Sequence, residues 1–97
     1  DWNEKAGIIH NLIRGLSPYP AAYTHLGNKL VKIYKSRLTE FQKEGISGNI
    51  IVREKRLFVS ASDNLLEILE LRIEGKKKIT SAEFINGLQK DKETYFH

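Results

Sequence analysis

The chain has 97 residues, 40% of them hydrophobic and 29% charged, enough for one domain that buries about 60% of its unfolded surface without covalent staples. It holds no cysteine, which excludes disulfides and thiolate metal sites, and no run reaches the roughly 18 apolar residues of a membrane-spanning helix. Sixteen Lys and Arg against twelve Asp and Glu leave a net charge of +4, an excess that by itself favours a polyanionic partner only weakly.

In chain order, Ile9, Leu12, Ile13 and Leu16 recur at helical spacing and predict an amphipathic helix from about Asn3 to Leu16. Asp1 or Asn3 is positioned to cap it, Glu4 suits the positive end of its dipole, and Trp2 is expected to pack back on the first turn. Gly15 is the expected stop, preceded by Arg14 as a cation at the C-terminal end. Pro18 and Pro20 then stiffen a corner, each fixing its own φ and driving Ser17 and Tyr19 towards extended backbone.

From Ala22 the period changes to two. Strands are predicted over Ala22–Leu26 and Lys29–Leu38, joined by Gly27-Asn28 as a hairpin turn. The polar stretch Thr39–Ser47 reads as a surface loop. A third strand, Asn49–Glu54, turns at Lys55 into a fourth, Arg56–Ala61; Ser62-Asp63-Asn64 is a turn, and Leu65–Ile73 a fifth strand covered on both faces. Glu74–Ile79 reads as a charged loop. Thr80 and Glu83 then form a capping box for a short helix with Phe84, Ile85 and Leu88 on its apolar face, ending near Gln89. The tail from Lys90 to His97 is expected to fray. Five short strands between a leading and a trailing helix predict a mainly β domain with flanking helices, an OB-like small barrel, closed or partly open.

Catalytic signals are weak. His10, His25 and His97 stand apart with no ligand spacing for a metal. Ser60, Ser62 and Asp63 are close in sequence but have no neighbouring histidine to activate a nucleophile. Gly45-Ile46-Ser47-Gly48 has the G-x-x-G form of a KH loop, yet it leads into a β-branched run instead of a helix, which excludes that reading. No phosphate-binding or dinucleotide fingerprint is present.

The basic residues carry more. Lys76, Lys77 and Lys78 precede a helix N-terminus, Lys32 and Lys35 share a strand, and Arg53, Lys55 and Arg56 gather at a hairpin. Brought to one face they would meet phosphates. The bland alternative is a solvated surface partly neutralised by Glu54, Glu70 and Glu74. Tyr19, Tyr34 and Phe58 are the aromatics available for base stacking, and each could equally be core, so a structured RNA read by backbone and shape suits the chain better than a splayed single strand.

The stretch Asn11-Leu12-Ile13-Arg14-Gly15-Leu16-Ser17-Pro18-Tyr19-Pro20-Ala21-Ala22-Tyr23-Thr24 resembles the opening of the C-terminal domain of methionyl-tRNA formyltransferases. A second match, Leu71 followed by Gly75-Lys76-Lys77-Lys78-Ile79-Thr80-Ser81-Ala82-Glu83-Phe84, comes in the family's order. Weaker ones lie at Leu30–Lys35 and Gly48-Asn49-Ile50, so the resemblance runs from about Trp2 to Gln89. Arg72 and Ile79 depart from the pattern, standing where glutamine and methionine are usual.

The resemblance implies that residues 1–97 are one OB-like, tRNA-binding C-terminal domain of a larger cytoplasmic enzyme, an expectation that a start at Asp1-Trp2-Asn3 without methionine also suggests. It implies no catalytic residue, metal or cofactor here. The parent enzyme would take its formyl group from 10-formyltetrahydrofolate on a preceding Rossmann-like domain, and this domain would help to hold the initiator methionyl-tRNA for translation initiation. The implied partners are that tRNA and the protein's own catalytic domain, with no membrane, in a monomer. Lys76 and Lys77 become first choices for tRNA phosphates, while Arg14, Pro18, Tyr19 and Pro20 are family signature, serving interdomain docking or the corner itself. Formyltransferases acting on sugar nucleotides and formyl-folate enzymes carry similar subdomains without binding tRNA; there the module would be structural. A freestanding RNA-binding OB domain is a third reading.

Overall fold

The computed structural model describes residues 1–88 and 96–97. In order it contains α1 (Ala6–Leu16), β1 (Ala22–Leu26), β2 (Lys29–Gln42), β3 (Ile50–Arg53), β4 (Arg56–Ser60), β5 (Asn64–Ile73), β6 (Ile79–Thr80) and α2 (Ser81–Leu88). Among the described residues there are thus six strands where the sequence pattern predicts five. They form one antiparallel sheet in the order β1-β2-β5-β4-β3, with β6 added to β5. The sheet is not closed into a barrel: β1 and β3 end its path. The architecture is otherwise the expected one, mainly β with a helix at each end, and compatible with an OB-like fold.

The edges are tied by other means. The Phe96 N–H donates to the Gly48 carbonyl at 2.7 Å, and the His97 N–H donates to the His25 carbonyl at 2.9 Å. The C-terminal dipeptide therefore links the end of β1 to the turn ahead of β3. Gly48 has a φ of +92°, and a Cβ there would lie 2.2 Å from the Phe96 carbonyl oxygen, so this close approach requires glycine. Phe96 is buried and stacks on Trp2 with centroids 5.9 Å apart, which corrects the expectation of a frayed end. The remainder of that tail, Gln89 and the Leu88 side chain fall outside the described residues.

The core lies on one side of the sheet, where Val31, Ile33, Leu57, Val59, Leu66, Ile68 and Leu71 meet Ile9 and Ile13 of α1 and Phe84 and Ile85 of α2. The buried stripe of α1 is Ala6, Ile9 and Ile13, with Leu16 half-buried. Leu12, assigned to that stripe by spacing, is 49% exposed, as is its neighbour on the outer side, Ile8, at 53%. The helix runs through Gly15, which keeps a negative φ, and ends with Ser17 donating to Ile13. Its start is not capped by Asp1 or Asn3. Asp63, in the β4–β5 turn, accepts from the Ala6 N–H at 2.9 Å, and this bond holds the Asp63 carboxyl below its usual range. Trp2 packs inward and donates through Nε1 to Thr24 Oγ1. The Ser17–Pro18 and Tyr19–Pro20 peptide bonds at the corner are both cis.

Two expected loops are partly strand. β2 continues through Thr39 to Gln42, because Gln42 pairs with Asn64, Thr39 Oγ1 donates to the Leu65 carbonyl and Asn64 Nδ2 donates to the Thr39 carbonyl. Its polar residues belong to a solvated sheet face. At Ile79–Thr80 the expected loop pairs with β5. The β1–β2 hairpin turns at Gly27, with φ +61°, as the sequence predicts, and β3–β4 turns at Glu54-Lys55, both with positive φ. The capping box of α2 forms: Glu83 N–H donates to Thr80 Oγ1 at 3.4 Å, and Thr80 N–H to Glu83 Oε1 at 3.3 Å.

Candidate nucleic-acid interface

Residues directly opposed in an antiparallel ladder project from the same face. On the side of the sheet away from the core, the register opposes Lys32 to Arg72, Lys35 to Glu70 and Arg37 to Glu67, then Glu67 to Phe58, Phe58 to Ile51 and Arg56 to Arg53. A single row of basic residues thus crosses β2, β5, β4 and β3. The row stays on one face through two register shifts. Tyr34 is an extra residue on β2 and Leu69 an extra one on β5, and each bulge reverses the alternation of its own strand. Without them the period of two would place Glu70 and Arg72 on the same side as the buried Ile68.

Seven cations gather here: Lys32, Lys35, Arg37, Arg53, Arg56, Arg72 and Lys78. Among the described residues, the carboxylates they pair with are three. Glu67 receives Arg56 through two bonds, from Nε at 3.1 Å and Nη2 at 2.9 Å, with Arg37 Nη1 at 3.6 Å. Glu70 is shared by Lys35 at 3.4 Å and Lys78 at 3.5 Å. Glu44 is bidentate with Arg53. Lys78 also lies 5.4 Å above the Tyr34 ring, and Arg56 5.0 Å above that of Phe58, cation–π contacts that leave cationic edges towards solvent. Among the described residues no ion pair engages Lys32 or Arg72, and the Arg72 Nε is buried without a hydrogen-bond partner. The face therefore holds positive charge that is not ion-paired by the carboxylates of the described residues.

Glu67 is buried at the centre of the row. The Arg56 hydrogen bonds hold its carboxyl below the usual range, against the opposing effect of burial, and the charges of Arg56 and Arg37 add to the lowering. A carboxyl whose pKa is lower folded than unfolded binds more protons in the unfolded chain, so its contribution to stability exists above the unfolded value and is lost as pH falls through the folded one. Urea midpoints measured from about pH 6 down to about pH 3 are expected to fall more steeply for the natural chain than for Glu67→Gln. Parallel curves would show that Glu67 carries no such linkage.

The sequence-predicted residues distribute unevenly. Lys32, Lys35, Arg53 and Lys78 come together in the row. Lys55 sits at the exposed β3–β4 turn, and Lys76 and Lys77 in the exposed loop between β5 and β6. The helix amide near that loop is already engaged, since Thr80 takes the Glu83 N–H and the Glu83 carboxylate occupies the same end. Arg14, Pro18, Tyr19 and Pro20 lie at the end of α1 and the corner after it, all exposed, with Tyr19 at 85%. Near that corner a depression of about 590 Å³ is lined by Trp2, Leu12, Leu16, Tyr23, His25 and His97, among others. Of the candidate stacking aromatics, Phe58 is buried and Tyr34 half-buried. Sequence reasoning missed Arg37 and Phe41, and noted Arg72 only as a departure from the family pattern. Only a register that counts the two bulges aligns Arg37 and Arg72 with the row.

The histidines have structural surroundings. His10 Nδ1 is 2.7 Å from Ser36 Oγ, and its pKa is lowered by burial and by Arg14. His25 stacks on His97, whose Nε2–H donates to the Gly27 carbonyl. No group of three His, Cys, Asp or Glu suited to a metal exists among the described residues, and no helix among them is long and apolar enough to cross a membrane.

The described residues form an antiparallel sheet with a cationic outer face, preceded by a helix and a double-proline corner. By family, residues 1–89 match the model of the formyl transferase C-terminal domain, and the chain belongs to that family. It is 40% identical to a methionyl-tRNA formyltransferase of Clostridium novyi over 90% of its length, and 38% identical to one of Chlorobium luteolum over 92%. A methionyl-tRNA formyltransferase of Clostridium acetobutylicum is 37% identical over 95% of the chain. The chain spans less than a third of each relative, 28%, 29% and 30% respectively.

Proposed function

We propose that this chain is the non-catalytic C-terminal domain of a methionyl-tRNA formyltransferase. It helps to hold the initiator methionyl-tRNA while a preceding catalytic domain transfers the formyl group from 10-formyltetrahydrofolate, in the cytoplasm and at translation initiation. The observation that carries this reading is the cationic row across the outer sheet face, with Lys32 and Arg72 at one end and no carboxylate among the described residues paired with either. Phosphate contacts position a nucleic acid without reading its bases, and a folded tRNA offers a curved double-helical backbone to such a face. Lys76, Lys77 and Lys55, at the margins of the sheet, extend the surface from two loops. The relatives' names support tRNA as the substrate of the whole enzyme, and their greater length supports a catalytic domain outside this chain. Arg14, Pro18, Tyr19 and Pro20 lie off the row and suit docking to that domain.

The test is binding of the chain to initiator methionyl-tRNA over a salt series, with matched-length duplex RNA and polyglutamate as comparisons. Each phosphate neutralised contributes roughly −0.7 to −0.9 to the slope of log K against log salt. A steep slope and preference for the tRNA are expected. Absence of binding at low salt would overturn the holding role and favour the structural role proposed for sugar-nucleotide and formyl-folate relatives.

A further inference from the structure

The extension of β2 past Leu38 has a chemical consequence. It carries Phe41 onto the outer sheet face, where its ring stands edge-on to Phe58, with centroids 5.7 Å apart and planes at 86°. Phe58 is buried and fixes the inner side of this pair, whereas Phe41 is 50% exposed. Beside it lies a depression of about 430 Å³ lined by Phe41, Arg53, Glu54, Arg56 and Phe58. The flanking guanidinium groups are held in place: Arg53 by Glu44, and Arg56 by Glu67 and the Phe58 ring. Arg56 uses Nε and Nη2 on Glu67, so the donors of its Nη1 remain for another acceptor. Two arginines share the single Glu67 carboxylate, and Glu54 of the same depression acts on Arg56 by charge alone, without a hydrogen bond to it, so guanidinium donors stay open next to an exposed aromatic plane.

An exposed aromatic ring with a fixed edge, bordered by oriented arginines, is the arrangement that stacks an unpaired base and holds its phosphate. We propose that the Phe41–Arg56 depression is a binding subsite for one unpaired nucleotide of an RNA strand. The base lies on the free face of Phe41, and the adjoining phosphate meets Arg56 and Arg37. Glu54 lines the same depression beside Arg56, so the phosphate is held on the Arg37 side of Arg56. The row of Lys32, Lys35 and Arg72 takes paired backbone, and this subsite takes a base released from pairing at the end of the same surface. The inference rests on the reading of the outer face as an RNA surface and goes beyond it, since a duplex read by its backbone does not require Phe41.

The discriminating experiment measures binding of the chain to a hexameric single-stranded RNA containing 2-aminopurine and, separately, to a 12-base-pair RNA duplex. Phe41→Ala and Phe41→Leu are expected to weaken the single strand about tenfold or more and to abolish the change in 2-aminopurine fluorescence, with duplex affinity held within about twofold. Phe41→Trp is expected to keep or strengthen single-strand binding. Phe41→Leu preserves an apolar contact with Phe58, so a loss in that variant with an unchanged thermal midpoint is a loss of stacking and not of folding. Lys32→Glu with Arg72→Glu is expected to weaken both RNAs. If the Phe41 variants leave the single strand unaffected, or weaken both RNAs equally, the subsite is wrong while the cationic face stands. If the natural chain binds neither RNA, the reading of the face itself fails.

Discussion

Leu66→Ala is expected to destabilise the domain by about 2–5 kcal/mol, the range for a buried leucine whose cavity does not collapse. Leu66 has no solvent exposure. On β5 it lies between Leu38 of β2 and Val59 of β4, at the centre of the ladder that joins the two halves of the sheet. A chain of this size has about 5–15 kcal/mol of total stability, so the loss would be a large fraction of the whole. Urea unfolding should show a lower midpoint with little change in slope. The comparison is Leu12→Ala on α1, which removes the same atoms from a side chain 49% exposed and should cost less than about 1 kcal/mol. Equal losses in the two variants would place the buried face of α1 or of the sheet incorrectly.

Leu12 also shows where a local pattern stops being informative. Its spacing from Ile9, Ile13 and Leu16 fits a helical stripe, but a stripe wider than the groove that receives it must leave one edge in water. The groove is set by β1, β2 and β5, whose arrangement the helix sequence does not contain. Features formed by neighbours in sequence were legible: the Gly27-Asn28 hairpin, the Lys55 turn, the Thr80–Glu83 capping box and the change from helical to strand periodicity. Features formed across the fold were not. Asp63 caps α1 from 57 residues away, and Phe96 ties two sheet edges through backbone bonds that no side-chain pattern encodes.

The candidate interface divides in the same way. Its lysines at Lys32, Lys35 and Lys78 can be picked out by charge alone, but their convergence with Arg37, Arg56 and Arg72 depends on the bulges at Tyr34 and Leu69. A bulge adds one residue and inverts every position after it, so a strict period of two misplaces the residues on its far side. Phe41 was hidden for a related reason. A strand whose outer face is solvated reads as polar, and Thr39–Gln42 resembles a loop until Asn64 and Leu65 supply its hydrogen-bond partners.

The cationic row yields the largest expected effect on binding. Lys32→Glu combined with Arg72→Glu should lower affinity for initiator methionyl-tRNA by at least about tenfold at moderate salt and reduce the magnitude of the salt slope by roughly 1.4–1.8, the share of two phosphate contacts. These two positions are chosen because they oppose each other in the ladder and no carboxylate among the described residues pairs with them. Reversing them removes attraction to the RNA without breaking an ion pair among the described residues, so the unfolding free energy from urea titration should stay within about 1 kcal/mol of the natural chain. Arg56→Glu is a less informative probe. It would leave Glu67 buried beside a second carboxylate and lose stability by that route alone. Exposed cations in the loops, Lys76 and Lys77, give a graded comparison: if they are the main contacts, Lys76→Glu with Lys77→Glu will flatten the slope more than Lys32→Glu with Arg72→Glu does. The sheet-face reading predicts the reverse order, because charges anchored on adjacent strands keep their spacing against a phosphate backbone, whereas loop lysines must be ordered on binding.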